Sequence, residues 1–176
     1  MRMRVLLLGK TSLLGQALVA QAALEDIEFL LVEEPPGSWE PAQVAGWLDA
    51  LQPDAVLDLS FYHQQFQVLD PTPEGLAAER VFARELVTLC AGRDLLLYRL
   101  SSTRVFDGVK EQPYTEKDPL TPIGAHGALQ AELDQLLEAQ CRRHLLLRFS
   151  WVLDSSPEGM LQRLVSQLLA GDSVSL

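Results

Sequence analysis

The chain has 176 residues, 48% of them hydrophobic and 22% charged, which suffices for one domain with a full core and not for two. Its net charge of −10 excludes a nucleic-acid partner held through phosphates, since that affinity comes from clustered Lys and Arg and Arg142-Arg143 is the only adjacent basic pair. Cys90 and Cys141 have no metal-ligand spacing, so reduced, buried thiols and no metal site are expected.

The first apolar run, Val5–Leu8, follows Met1-Arg2-Met3-Arg4 and stops at Gly9-Lys10, too soon for the core of a secretory signal. No later run approaches a membrane span, so a cytoplasmic protein with no membrane partner is expected. Val5–Leu8, Phe29–Val32, Ala55–Leu59, Leu95–Leu100 and Leu145–Phe149 are Leu- and Val-rich runs of the kind that form strands buried on both faces. Between and after them lie helical patterns at Leu13–Ala23, Pro41–Leu51, Glu74–Ala91, Gly124–Gln140 and Met160–Leu169. Pro41 suits a helix start, and Thr72 followed by Glu74 suits another, as a cap and a first-turn acid. Asp172-Ser173-Val174-Ser175-Leu176 reads as the opening of a sixth strand, so the chain is expected to be the N-terminal part of a longer architecture. Alternating strands and helices predict an α/β fold, a doubly wound parallel sheet of the Rossmann type in three layers.

Gly9-Lys10-Thr11-Ser12-Leu13-Leu14-Gly15 joins the first strand to the first helix. A dinucleotide turn needs a glycine to turn, a small residue beside the pyrophosphate and a glycine where helix meets strand. Gly9 and Gly15 fill the first and third roles, while Ser12 stands in the second, where its hydroxyl could bond phosphate. The same residues do not make a P-loop, because Arg4 stands where that motif requires its first glycine. Glu33-Glu34 ends the second strand, and Glu33 is the candidate for a ribose 2′-hydroxyl, which favours NAD over NADP. Leu59 ends the third strand and Ser60 and Phe61 follow it, at the sheet edge where such folds bind ligands. His63, in the same loop, has no nearby acid and is set aside as a solvated side chain.

Further on come Ser101-Ser102-Thr103-Arg104-Val105-Phe106-Asp107-Gly108, Pro113-Tyr114-Thr115-Glu116, His126-Gly127-Ala128-Leu129-Gln130-Ala131-Glu132 and Arg148-Phe149-Ser150-Trp151-Val152. With the Gly9-Lys10-Thr11 turn, these stretches resemble the dTDP-4-dehydrorhamnose reductase family of extended short-chain dehydrogenase/reductases, over essentially the whole chain. The resemblance implies a nicotinamide cofactor and a nucleotide-linked keto sugar. In that family a tyrosine protonates the carbonyl oxygen, a lysine four residues later lowers the phenol's pKa, and a Ser or Thr hydroxyl binds the substrate oxygen. Ser102 falls at the hydroxyl position and Trp151 at a substrate-side tryptophan, but the tyrosine position is His126 and the lysine position is Gln130. Arg104 replaces a usual tyrosine, and Glu79 stands where the family tends to keep an asparagine.

A phenol with an ordinary pKa of about 10 needs a neighbouring cation to work near neutrality, and Gln130 supplies none. Histidine, at about 6.5, could donate a proton unaided, although an uninvolved surface position for His126 is the plainer expectation. The first reading is therefore an impaired reductase-like domain that binds NAD or NADP and serves in sugar-nucleotide binding or regulation. The alternatives are an active keto-sugar reductase with His126 as acid, or a cofactor-free scaffold for a partner protein or a homodimer.

Overall fold

A computed structural model describes residues 2–22, 26–35, 39–61, 71–150, 152 and 160–171. Strands β1 (Met3–Leu8), β2 (Ile27–Leu31), β3 (Ala55–Asp58), β4 (Leu96–Ser102) and β5 (His144–Phe149) form one sheet in the order β2-β1-β3-β4-β5. Every pairing is parallel. The helices are α1 (Leu13–Gln21), α2 (Pro41–Leu51), α3 (Pro73–Gly92), α4 (Gly124–Gln140) and α5 (Met160–Ala170). The chain has the expected Rossmann-like α/β fold. Among the described residues no helix is long and apolar enough to cross a membrane. The expected sixth strand at 172–176, His63 and Trp151 lie outside the described residues.

Strand periodicity assigns the two layers. Leu6, Leu8, Val56 and Leu97 pack with Val44 and Leu48 of α2, Phe82 and Leu86 of α3, and Leu137 of α4. Leu7, Leu59 and Leu100 turn to the other face and meet Leu13, Leu14 and Leu18 at α1. Parallel strands covered on both faces have no reason to alternate in polarity, which is why these runs read as continuously apolar.

Element ends differ from the expected ones where a polar residue is satisfied locally. β2 begins earlier, at Ile27, because Ile27 and Glu28 pair with Met3 and Arg4 and Glu28 forms an ion pair with Arg4. β4 runs on through Ser101 and Ser102, which pair with Arg148 and Phe149. Helix α3 opens as expected, with the Thr72 hydroxyl accepting the Gly75 amide at 3.1 Å and Glu74 in its first turn. Both cysteines are buried, and burial pushes the Cys90 thiol up to about 12.

After β4 the chain makes a short 3-10 turn, Thr103–Val105, against which α4 lies closely. Gly127 permits that approach: a Cβ there would stand 2.4 Å from the Arg104 carbonyl oxygen. Gly127→Ala should cost roughly 1–3 kcal/mol as overpacking. Urea unfolding measures this, and an unchanged midpoint would show that the turn moves away freely.

Candidate functional site

The carboxyl ends of β1, β3 and β4 carry the candidate residues. At β1 the turn is held by its own atoms. Gly9 has φ 89°, and a Cβ on it would stand 2.3 Å from the Leu59 carbonyl oxygen, so only glycine turns here. A Cβ on Gly15 would meet the Gly9 carbonyl oxygen at 2.3 Å. The Ser12 hydroxyl donates to that carbonyl at 2.6 Å and accepts the Gly15 amide at 3.0 Å, capping α1. Ser12 is fully buried, and its hydroxyl serves as an internal cap. Leu13 and Leu14 open the helix, where first-turn amides have no intrahelical acceptor.

An acid does reach this turn, but from the neighbouring position. Glu34 accepts the Thr11 amide at 2.9 Å and the Thr11 hydroxyl as well, whereas Glu33 is exposed. At β3, Leu59 backs Gly9, Ser60 donates from its amide and hydroxyl to Asp58, and the Phe61 ring packs into the core on Phe82.

The largest departure from expectation lies between β4, α3 and α4. His126 is 5% exposed and Gln130 0%, so His126 is a buried residue and the surface position expected for it is overturned. Arg99 of β4, 2% exposed, donates to Glu79 Oε1 at 3.2 Å, to Gln130 Oε1 at 3.0 Å and to the Leu100 carbonyl at 3.1 Å. The Gln130 Nε2 group donates to Glu79 Oε1 at 2.7 Å and lies 3.3 Å from His126 Nε2. One helical turn on, Asp134 accepts the Ser101 hydroxyl at 3.0 Å and Arg148 Nε at 3.1 Å. Burial raises the Asp134 carboxyl, against the opposing pull of Ser101 and the two arginines. Ser102 stands just beyond this network, buried, with its oxygen accepting the Arg104 amide at 3.1 Å.

A clamped loop follows. Phe106 and Tyr114 stack at 4.5 Å, the Tyr114 hydroxyl donates to Asp107 at 2.5 Å, and Arg148 lies over the Phe106 ring at 5.5 Å. A cavity of about 680 Å³ opens beside this loop, with Arg104, Phe106, Tyr114, Arg148 and Phe149 in its wall. Among the described residues no group of three or more His, Cys, Asp or Glu side chains could hold a metal.

With this geometry in place, comparison with known proteins is decisive at the level of family. The profile described as the RmlD substrate binding domain matches residues 3–176. The chain belongs to this family. A dTDP-4-dehydrorhamnose reductase of Sinorhizobium fredii is 27% identical over 99% of the chain and 59% of its own length. The Escherichia coli dTDP-4-dehydrorhamnose reductase is 25% identical, covering 85% of the chain and 52% of its own length. Among solved structures, the Bacillus anthracis dTDP-4-dehydrorhamnose reductase in complex with NADP superposes with TM-score 0.80 at 17% identity, over 95% of this chain and 60% of that one. The Bordetella bronchiseptica enzyme WbmG in complex with NAD and UDP gives 0.79 at 16%, over 99% of this chain and 62% of that one. The chain thus spans little more than half the length of these relatives.

Within this RmlD-type framework the structure gathers Gly9, Thr11, Ser12, Gly15 and Leu59 at the first turn. It joins His126 and Gln130 in one network and leaves Ser102 outside it. Sequence reasoning passed over Arg99 and Asp134, and it named Glu34 only as the neighbour of Glu33. The signals were present: Arg99 interrupts an otherwise apolar strand, and His126, Gln130 and Asp134 recur every four residues among Leu129, Leu133 and Leu137.

The loop gives a pH-dependent test. The Asp107 carboxyl is held below its ordinary range chiefly by the Tyr114 hydroxyl. A lowered folded-state pKa contributes stability above the ordinary carboxylate range, and that contribution is lost as pH falls through the lowered value. In Tyr114→Phe the Asp107 midpoint, followed by carboxyl ¹³C NMR, should rise toward the ordinary value. An unmoved midpoint would remove Tyr114 as the cause.

Proposed function

We propose that the chain is the nicotinamide-dinucleotide-binding part of a dTDP-4-dehydrorhamnose reductase-like protein, impaired in reduction and used to bind a sugar nucleotide or to regulate. The observation that carries this reading is the state of Gln130. Its amide is fully buried and bonded between Arg99 and Glu79, so the position that would hold a lysine offers no charge to a neighbouring acid. The Arg99 charge cannot substitute, because Glu79 neutralises it within the same contact.

The residues around the first turn fit a dinucleotide. Backbone of this kind, with glycine where a Cβ would collide and open amides at the helix start, suits a pyrophosphate. Such a cofactor would supply the hydride for a carbonyl reduction. Gly9 and Gly15 would admit its phosphates, and the Leu13 and Leu14 amides would donate to them. Glu34, already bonded to Thr11, is better placed than Glu33 to accept a ribose hydroxyl and to repel a 2′-phosphate, which favours NAD. Ser102, at the end of β4, would donate its hydroxyl to an oxygen of the sugar.

Calorimetry with NADH and NADPH provides the first test. Micromolar binding of NADH is expected, with NADPH weaker. Glu34→Ala should raise NADPH affinity relative to NADH by about tenfold, or about 1.4 kcal/mol, while Glu33→Ala should change the ratio little. Failure of both cofactors to bind would sink the reading and leave the scaffold alternative.

A turnover assay on a keto-sugar nucleotide addresses impairment. The wild-type chain should show no activity above buffer. The second reading, with His126 as acid, draws on the placement of Ser102 and predicts turnover that His126→Ala abolishes.

A further inference from the structure

An amide side chain has one end that accepts and one that donates, and the two look alike in shape, so its neighbours decide its orientation. At Gln130 they decide it without ambiguity. Arg99 has donors only and meets Oε1 at 3.0 Å, while the Glu79 carboxylate meets Nε2 at 2.7 Å. Turning the amide over would set its NH₂ against the guanidinium and its oxygen against the carboxylate. Both are like-to-like contacts between groups buried from water, where an unmade bond costs about 1–3 kcal/mol and more beside a charge. The amide is therefore locked with Nε2 toward Glu79, and its second hydrogen faces His126 Nε2 at 3.3 Å.

We propose that Arg99 and Glu79, acting through Gln130, hold the His126 ring in a single neutral form with its proton on Nδ1 and the Nε2 lone pair turned to the Gln130 amide. A donor facing Nε2 requires an acceptor there, so the ring proton resides on the other nitrogen. The three residues are positioning residues: they touch the ring or one another and fix which atom donates.

This refines the reading of the site given above and rests on it for its functional meaning. A neutral imidazole donates one hydrogen bond and can polarise a carbonyl oxygen, as neutral histidine does elsewhere. At the position matching the family's tyrosine, such a ring is a neutral donor through Nδ1 and not a charged acid. The lock also links changes distributed over the sequence, since Glu79, Arg99 and Gln130 each supply one of its ends. A lysine at 130 would set a second cation beside Arg99 and leave the Glu79 carboxylate to be shared between the two.

Nitrogen-15 NMR of the imidazole rings tests this on the ligand-free protein at neutral pH, with the His126 signals assigned by their loss in His126→Asn. The wild type should show Nε2 at the shift of an unprotonated ring nitrogen and Nδ1 at that of a protonated one. Gln130→Glu presents an acceptor to Nε2 and should move the proton there. Gln130→Met removes the donor without adding charge, and it should release the ring toward the Nε2-protonated form, so the test survives if the glutamate variant does not fold. A wild type protonated on Nε2, or on both nitrogens, overturns the proposal. So does a folded Gln130→Met protein in which the proton stays on Nδ1. Because no cofactor is added, these outcomes are independent of whether NADH binds.

Discussion

A guanidinium taken out of water is the constraint around which this part of the molecule is organised. Arg99 sits in the middle of β4 with 2% of its surface exposed, and a charge so placed must be met by an anion and by acceptors with good geometry. Glu79 reaches it from α3, Gln130 from α4, and the Leu100 carbonyl from its own strand. These contacts fix how α3 and α4 lie over the sheet, because sliding either helix by one residue would strand a charge. Apolar packing alone would tolerate more than one register, whereas this contact set allows one.

The first turn obeys the same logic on a smaller scale. Ser12 uses its hydroxyl in both directions, to Gly9 and from Gly15, and Glu34 binds both polar groups of Thr11. Two regions of one sheet edge are thus closed by internal hydrogen bonds. At the first turn the closure caps the start of α1; between β4 and α4 it turns the polar ends inward.

Much of the architecture was legible from sequence, because strands buried on both faces and helices of regular period leave strong local signals. The parallel sheet, the Thr72 cap and the Gly9–Gly15 turn depend on neighbours in sequence, and all three are seen. The buried network was not legible. Glu79 and Gln130 are 51 residues apart and Arg99 lies between them, so no local pattern connects the three. The contact of Glu34 with Thr11 was not legible either, because strand alternation does not say which of two consecutive glutamates turns to that residue. His126 was expected at the surface because a histidine in a helix carries no mark of burial; only its four-residue spacing with Gln130 and Asp134 does.

The two cysteines carry a practical consequence. Cys90, near the end of α3, lies in the core, and Cys141 closes α4 with its sulfur 3.3 Å from the Arg143 carbonyl oxygen. A thiol reacts as its thiolate, and burial both hides these sulfurs and holds the Cys90 proton on. Alkylating reagents at neutral pH therefore reach them only when the layer of helices lifts from the sheet. The speed of that labelling is a built-in clock for opening of the region that carries the network, and it needs no reporter group added to the protein.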